Sequence, residues 1–113
     1  MDINQAKKIV VGYGDYFYDE TDRFSIDEIV FHILGNILFT TSKAEAILLW
    51  EIDRDAFYKV AEELDVIELN TIICNKYNFY PEEVGDGKQF FRRMAEEMDE
   101  CIQQVKQKFS DKE

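Results

Sequence analysis

The sequence is short of the residues that break helices and turn chains. It has one proline and five glycines. A β-sandwich or another turn-rich β fold needs such punctuation about every ten residues, so that class is disfavoured. Cysteine is equally sparse. Cys74 and Cys101 stand far apart and in no metal-ligand or redox spacing, which excludes a disulfide framework. Both read as reduced, small core residues of a cytoplasmic protein. Basic residues are few: 13 Lys and Arg face 24 Asp and Glu, for a net charge of −11. That balance opposes direct nucleic-acid binding through phosphates and attraction to an anionic membrane. It favours a cationic partner, or simple solubility. No apolar run approaches the length of a membrane span. The first residues carry no basic region followed by an apolar run, so no secretory signal is expected. Repeats, linkers and low-complexity tracts are missing too, and residues 1–113 read as a single acidic helical domain.

What is present is bulk. Nine Phe, six Tyr and one Trp supply filling for one core, and the apolar spacing is mostly helical. In residues 26–39, Ile26, Ile29, Val30, Ile33, Leu34 and Ile37 share a face that Phe31 and Leu38 widen. Ser25 with Glu28 forms a capping box before it. This stretch is expected to be the central helix. Residues 2–11 predict a first helix, with Asp2 as cap and Ile3, Ala6, Ile9 and Val10 inward. Gly12 and Gly14 then interrupt, and residues 9–18 admit either a bent helix or a short hairpin. Thr40, Thr41 and Ser42 predict a break and a cap.

Residues 43–64 present two nearly opposite apolar faces, one of Ala44, Ile47 and Leu48, the other of Phe57, Val60, Ala61 and Leu64. A straight helix cannot bury both, so a break is expected near Glu51–Asp53, with Asp53 capping the second piece. Asp65 is expected to cap a helix in which Val66, Leu69, Ile72 and Ile73 face inward. Pro81 disfavours helix at Tyr80 and suits a new first turn, which Gly85 to Gly87 ends. The last helix, about 88–109, carries a stripe of Phe91, Met94, Ala95, Met98, Cys101, Ile102, Val105 and Phe109. The expected fold is therefore all-α: a single compact bundle of five to six helices.

The charge is uneven. Residues 1–42 carry net −4, residues 43–87 net −7, and residues 88–113 net 0. Acids are densest at Glu51, Asp53, Asp55, Glu62, Glu63, Asp65 and Glu68. Such a run is either a solvated face or a surface that meets a basic protein groove by imitating phosphates. Tyr16 and Tyr18, among Asp15, Asp19 and Glu20, have the aromatic-acid mixture of a protein contact. Tyr77, Phe79 and Tyr80 share that composition, and in both places rings that simply close the core are the competing reading.

Chemical motifs fall short of completion. His32 lies on the polar side of its helix, one turn from Glu28, and reads as a hydrogen-bonding residue. Asp53-Arg54-Asp55 lacks the glycine and terminal Glu of a calcium loop. Gly12-Tyr13-Gly14 lacks the rest of a phosphate-binding fingerprint. Glu96, Glu97 and Glu100 have an E-E-x-x-E spacing that resembles the metal-binding helix of all-α nucleoside-triphosphate pyrophosphohydrolases. That family adds an E-x-x-D further downstream. Here Glu83 and Asp86 lie upstream and run into a glycine turn, so these acids read as solvating charge. No metal, cofactor or enzyme activity is expected.

In composition and size the chain resembles the small acidic helical anti-restriction and anti-CRISPR proteins of mobile elements or phage. The expected function is that of an inhibitor or neutralising protein. It would dock the acidic residues above, with Tyr16 and Tyr18, on a basic nuclease or other nucleic-acid-binding enzyme, as a DNA mimic. The alternatives are a homodimeric helical scaffold or regulatory subunit, and an immunity protein for a nuclease toxin.

Overall fold

Short polar side chains start most of the helices. The computed structural model describes residues 1–18, 25–40, 42–77 and 79–111, and among them the fold is all-α: α1 (Ile3–Tyr18), α2 (Ile26–Thr40), α3 (Lys43–Glu63), α4 (Val66–Lys76), α5 (Pro81–Val84) and α6 (Gly87–Asp111). Asp2 and Gln5 form a reciprocal cap on α1, and Ser25 and Glu28 do the same on α2. Ser42 accepts from the Glu45 amide at α3, and Asp65 from the Glu68 amide at α4. Each satisfies donors that a helix start otherwise leaves open. α5 ends at Gly85, whose φ of 63° suits a residue without Cβ.

The core is centred on α3 rather than on α2. α3 packs most extensively on α6 and α1, while α2 lies against one side of α3 and α6. α3 and α6 run antiparallel, with Glu51 beside Lys106, Arg54 beside Asp99 and Phe57 on Phe91. A chain of rings ties the elements together. Tyr13 stacks on Phe57 at 6.5 Å, Phe57 meets Phe91 at 5.8 Å, and Tyr77 meets Phe91 edge-on at 5.9 Å. The Tyr77 hydroxyl, buried, donates to the Val10 carbonyl at 2.7 Å. Phe79 packs on Phe90 at 5.1 Å. Tyr77 and Phe79 thus close the core, and Tyr80 is exposed.

Three expectations are corrected and one pair of alternatives is decided. Val66, expected inward on α4, is 38% exposed. The hairpin in residues 9–18 is absent: α1 runs through Gly12 and Gly14 to Tyr18. Gly14 is there for close approach. A Cβ on it would stand 2.6 Å from the Lys76 Cβ and 2.9 Å from the Tyr77 ring, so its hydrogen lets α1 settle on α4. The break near Glu51–Asp53 is also absent, because α3 buries only one of its two apolar faces. Ala46, Trp50, Asp53, Phe57, Val60 and Ala61 turn inward, and Leu48, Leu49 and Ile52 stay exposed. Asp53 is therefore a mid-helix residue and no cap. Finally, Phe31 does not widen the buried face of α2; it is 78% exposed. The α6 stripe is as expected, with Phe91, Met94, Ala95, Met98 and Ile102 fully buried. The side chains of Leu38 and Phe109 lie outside the described residues.

Candidate functional site

The sequence places the outer face of α3 opposite its buried stripe, and that face changes character along its length. At 100° per residue, Ala44, Leu48, Ile52, Asp55, Lys59 and Glu62 share it. The first half is apolar: Leu48 is 63% and Ile52 45% exposed, with Leu49 beside them at 40%. The second half is acidic, with Asp55, Glu62 and Glu63 exposed. Leu48 lies largely in water and Leu49 and Ile52 partly so, which leaves three large apolar side chains together on the exposed side of α3.

The expected acidic residues are not all available to a partner. Glu51 is half-buried and meets Lys106 Nζ at 3.3 Å. Asp55 accepts from Arg54 at 3.0 Å, and Glu63 pairs with Lys59 at 2.6 Å. Glu68 pairs with Lys7 of α1, and Asp65 is committed to capping α4. Glu62 is exposed and makes no ion pair among the described residues. α3 thus brings Asp55, Glu62 and Glu63 onto one surface and spends Glu51 on holding α6, while Glu68 of α4 holds α1. Exposed pairs of this kind stabilise little and can be exchanged for a partner's cation. The side chains of Tyr16 and Tyr18 lie outside the described residues.

Asp53 lies away from that outer face. It is 7% exposed, the one carboxylate in the described core, and accepts a 2.5 Å hydrogen bond from the Tyr13 hydroxyl. Burial pushes its carboxyl up to about 6, and the Tyr13 hydrogen bond only partly opposes the shift. Burial also drives the Tyr13 phenol far above its usual range, reinforced by the bond to Asp53 and by its charge. The phenol therefore stays protonated and serves as a fixed donor. The pair ties α1 to α3 in the interior.

A second surface lies between α2 and α6, which run parallel there. One groove, of about 340 Å³, has Trp50 on its floor and Phe31, Leu34 and Val105 on its walls, with Lys108 at one end. It shares Phe31, Cys101 and Gln104 with a neighbouring groove of about 320 Å³ that contains Asp27, Glu97 and Glu100. Cys101 is free and half-buried, and burial followed by the charges of Glu100 and Glu97 raises its thiol. That disfavours the nucleophilic thiolate. His32 is exposed on the polar side of α2. Among the described residues no helix is long and apolar enough to cross a membrane, and no group of three metal-ligating side chains gathers.

Sequence reasoning missed Leu48 and Phe31 because it assigned them to buried faces, and it left Leu49 and Ile52 unassigned. The available signal was the apolar excess on α3, too wide for one buried stripe. Comparison with protein-family models, with curated proteins and with solved structures finds no match for this chain.

Proposed function

We propose that this protein acts by binding another protein through the outer face of α3, and that it inhibits or neutralises that partner rather than catalysing a reaction. The observation that carries the reading is the graded face itself: Leu48, Leu49 and Ile52 exposed in one half, Asp55, Glu62 and Glu63 in the other. Such a face fits a surface that sets an apolar patch beside a row of cations. Basic nucleic-acid-binding enzymes, nucleases among them, offer cation rows of that kind, and the net charge of −11 steers such partners in from a distance. The apolar half supplies the lasting contact, and the acids supply orientation and speed of encounter.

The test is a capture experiment with the full chain as bait at low and at high salt. Glu62→Lys and Glu82→Lys baits are run in parallel; both change an exposed acid by two charge units. The reading expects basic nucleic-acid-binding proteins to be retained at low salt, released at high salt and lost with Glu62→Lys. Retention that both variants weaken equally would mean that bulk acidity, and no particular face, attracts the partner. Retention that neither weakens sinks the reading.

A further inference from the structure

A grooved surface lies apart from the outer face of α3, in the seam between α2 and α6. Its apolar part is built on Trp50, with Leu34 and Val105 beside it and Phe31 at its lip. The Trp50 indole N–H donates to the Leu34 carbonyl at 3.1 Å, so the ring needs no other polar partner and can receive apolar groups. Phe31 is 78% exposed. A phenylalanine so open gains nothing for the fold, and next to an apolar groove it completes a wall for something else.

The charge beside this groove is unbalanced. Asp27, Glu97 and Glu100 line the adjoining part. Among the described residues Arg93 answers them, 3.4 Å from Glu97 and 3.8 Å from Asp27. Burial, and then Asp27 next to it, hold the Glu97 carboxyl above its ordinary range. A further cation here would be attracted by all three acids. The E-E-x-x-E spacing on α6 thus places two of its acids, Glu97 and Glu100, along one groove. From Asp27 to Gly35 the seam follows α2 for about 12 Å, and from Glu97 to Lys108 it follows α6 for about 16 Å. That is room for about three turns of a helix.

We infer that the α2–α6 seam binds an amphipathic helix of a partner protein, with an apolar side chain over Trp50 beside Phe31 and a Lys or Arg against Asp27, Glu97 and Glu100. The mode is a helix laid in a groove, anchored by a few apolar side chains and aligned by charge. It is independent of the α3 face and would survive the failure of that reading.

Trp50 is the single tryptophan of the chain, so its fluorescence reports on the groove floor alone. The probe is a synthetic Leu–Lys peptide of about 14 residues patterned as an amphipathic helix, about 21 Å long, with a Leu–Glu peptide of the same pattern as control. The full chain is titrated with each, alongside Phe31→Asp and Glu100→Lys; both sites are exposed, and circular dichroism verifies that the variants fold. The expected result is a saturable change in Trp50 emission with Leu–Lys only, about tenfold weaker in each variant. Phe31→Asp is decisive, because it adds an acid: bulk attraction would make that variant bind a cationic peptide more tightly, and the groove makes it bind more weakly. The inference is overturned if Leu–Lys leaves Trp50 emission unchanged, if Phe31→Asp binds it as well as or better than the parent, or if Leu–Glu binds alike. It is also overturned if Trp50 emission changes with protein concentration alone and Phe31→Asp abolishes that change, since the occupant is then a second copy of this chain.

Discussion

Along α6 the division of labour is complete: Phe91, Met94, Ala95, Met98 and Ile102 are fully buried, and the exposed positions, from Gln89 to Lys108, are polar. Along α3 it is not. The inner side of α3 contains a carboxylate, Asp53, and the outer side begins with Leu48, Leu49 and Ile52 in solvent. The two helices lie against each other and share one core, so the contrast does not come from position in the fold. α6 sorts apolar from polar cleanly, whereas α3 serves the core on one face and carries apolar side chains into solvent on the other. An apolar residue outside and an acid inside both depart from the usual division, and both occur on the same helix.

The largest effect should come from α6. Phe91→Ala removes a fully buried ring that touches Phe57, Tyr77 and Phe90, and should cost about 3–5 kcal/mol in chemical denaturation. Leu48→Ala on α3 should stay within about 0.5 kcal/mol of the parent. Equal losses would erase the distinction between the two helices.

Next in size is the seat of α1. Gly14→Ala forces a methyl group into Lys76 and Tyr77 and should destabilise by about 1–3 kcal/mol. Gly12→Ala meets nothing within 4 Å and should stabilise by about 0.5–1 kcal/mol, since alanine loses less backbone freedom in a helix. Opposite signs at glycines two residues apart would establish that Gly14 serves close packing.

A smaller effect sharpens the inner face of α3. The Asp53 carboxyl is raised from its ordinary 3.8 to about 6 in the folded protein. The folded state therefore holds that proton more tightly than the unfolded chain does. Its contribution is fully present below the unfolded value and is lost as pH rises through the folded one, between about 4 and 6. Asp53→Asn keeps an acceptor for the Tyr13 hydroxyl and never ionises. The variant should gain on the parent in that window, as denaturation midpoints at pH 4 and 7 would record. A constant difference across the window would mean that Asp53 is not held in the core.

How legible the molecule was in its sequence follows the same contrast. α6 was readable because spacing, burial and polarity agree at each described position. The caps at Asp2, Ser25, Ser42 and Asp65 were readable because capping is local: a side chain reaches an amide three residues on. The end of α1 stayed open between helix and hairpin because a glycine in a helix looks alike whether it turns the chain or admits a neighbour. Only the position of Lys76 and Tyr77, more than sixty residues away, decides. α3 was misread because the rule that apolar residues go inside demands burial of both apolar faces, whereas the helix leaves one in solvent. Of the acidic residues singled out, the sequence could not separate Asp55 and Glu62, which face solvent, from Asp53, which bonds Tyr13, or from Glu51 and Glu68, which pair with Lys106 and Lys7. Those partners lie on other helices.

The most direct measurement is the affinity of a Leu48→Ser/Ile52→Ser double variant for the captured partner, at a denaturation midpoint matched to the parent. If the outer face of α3 is built for contact, the variant folds as stably as the parent and binds at least tenfold more weakly. A variant that binds as tightly as the parent, or that loses the fold instead of the partner, would contradict the account.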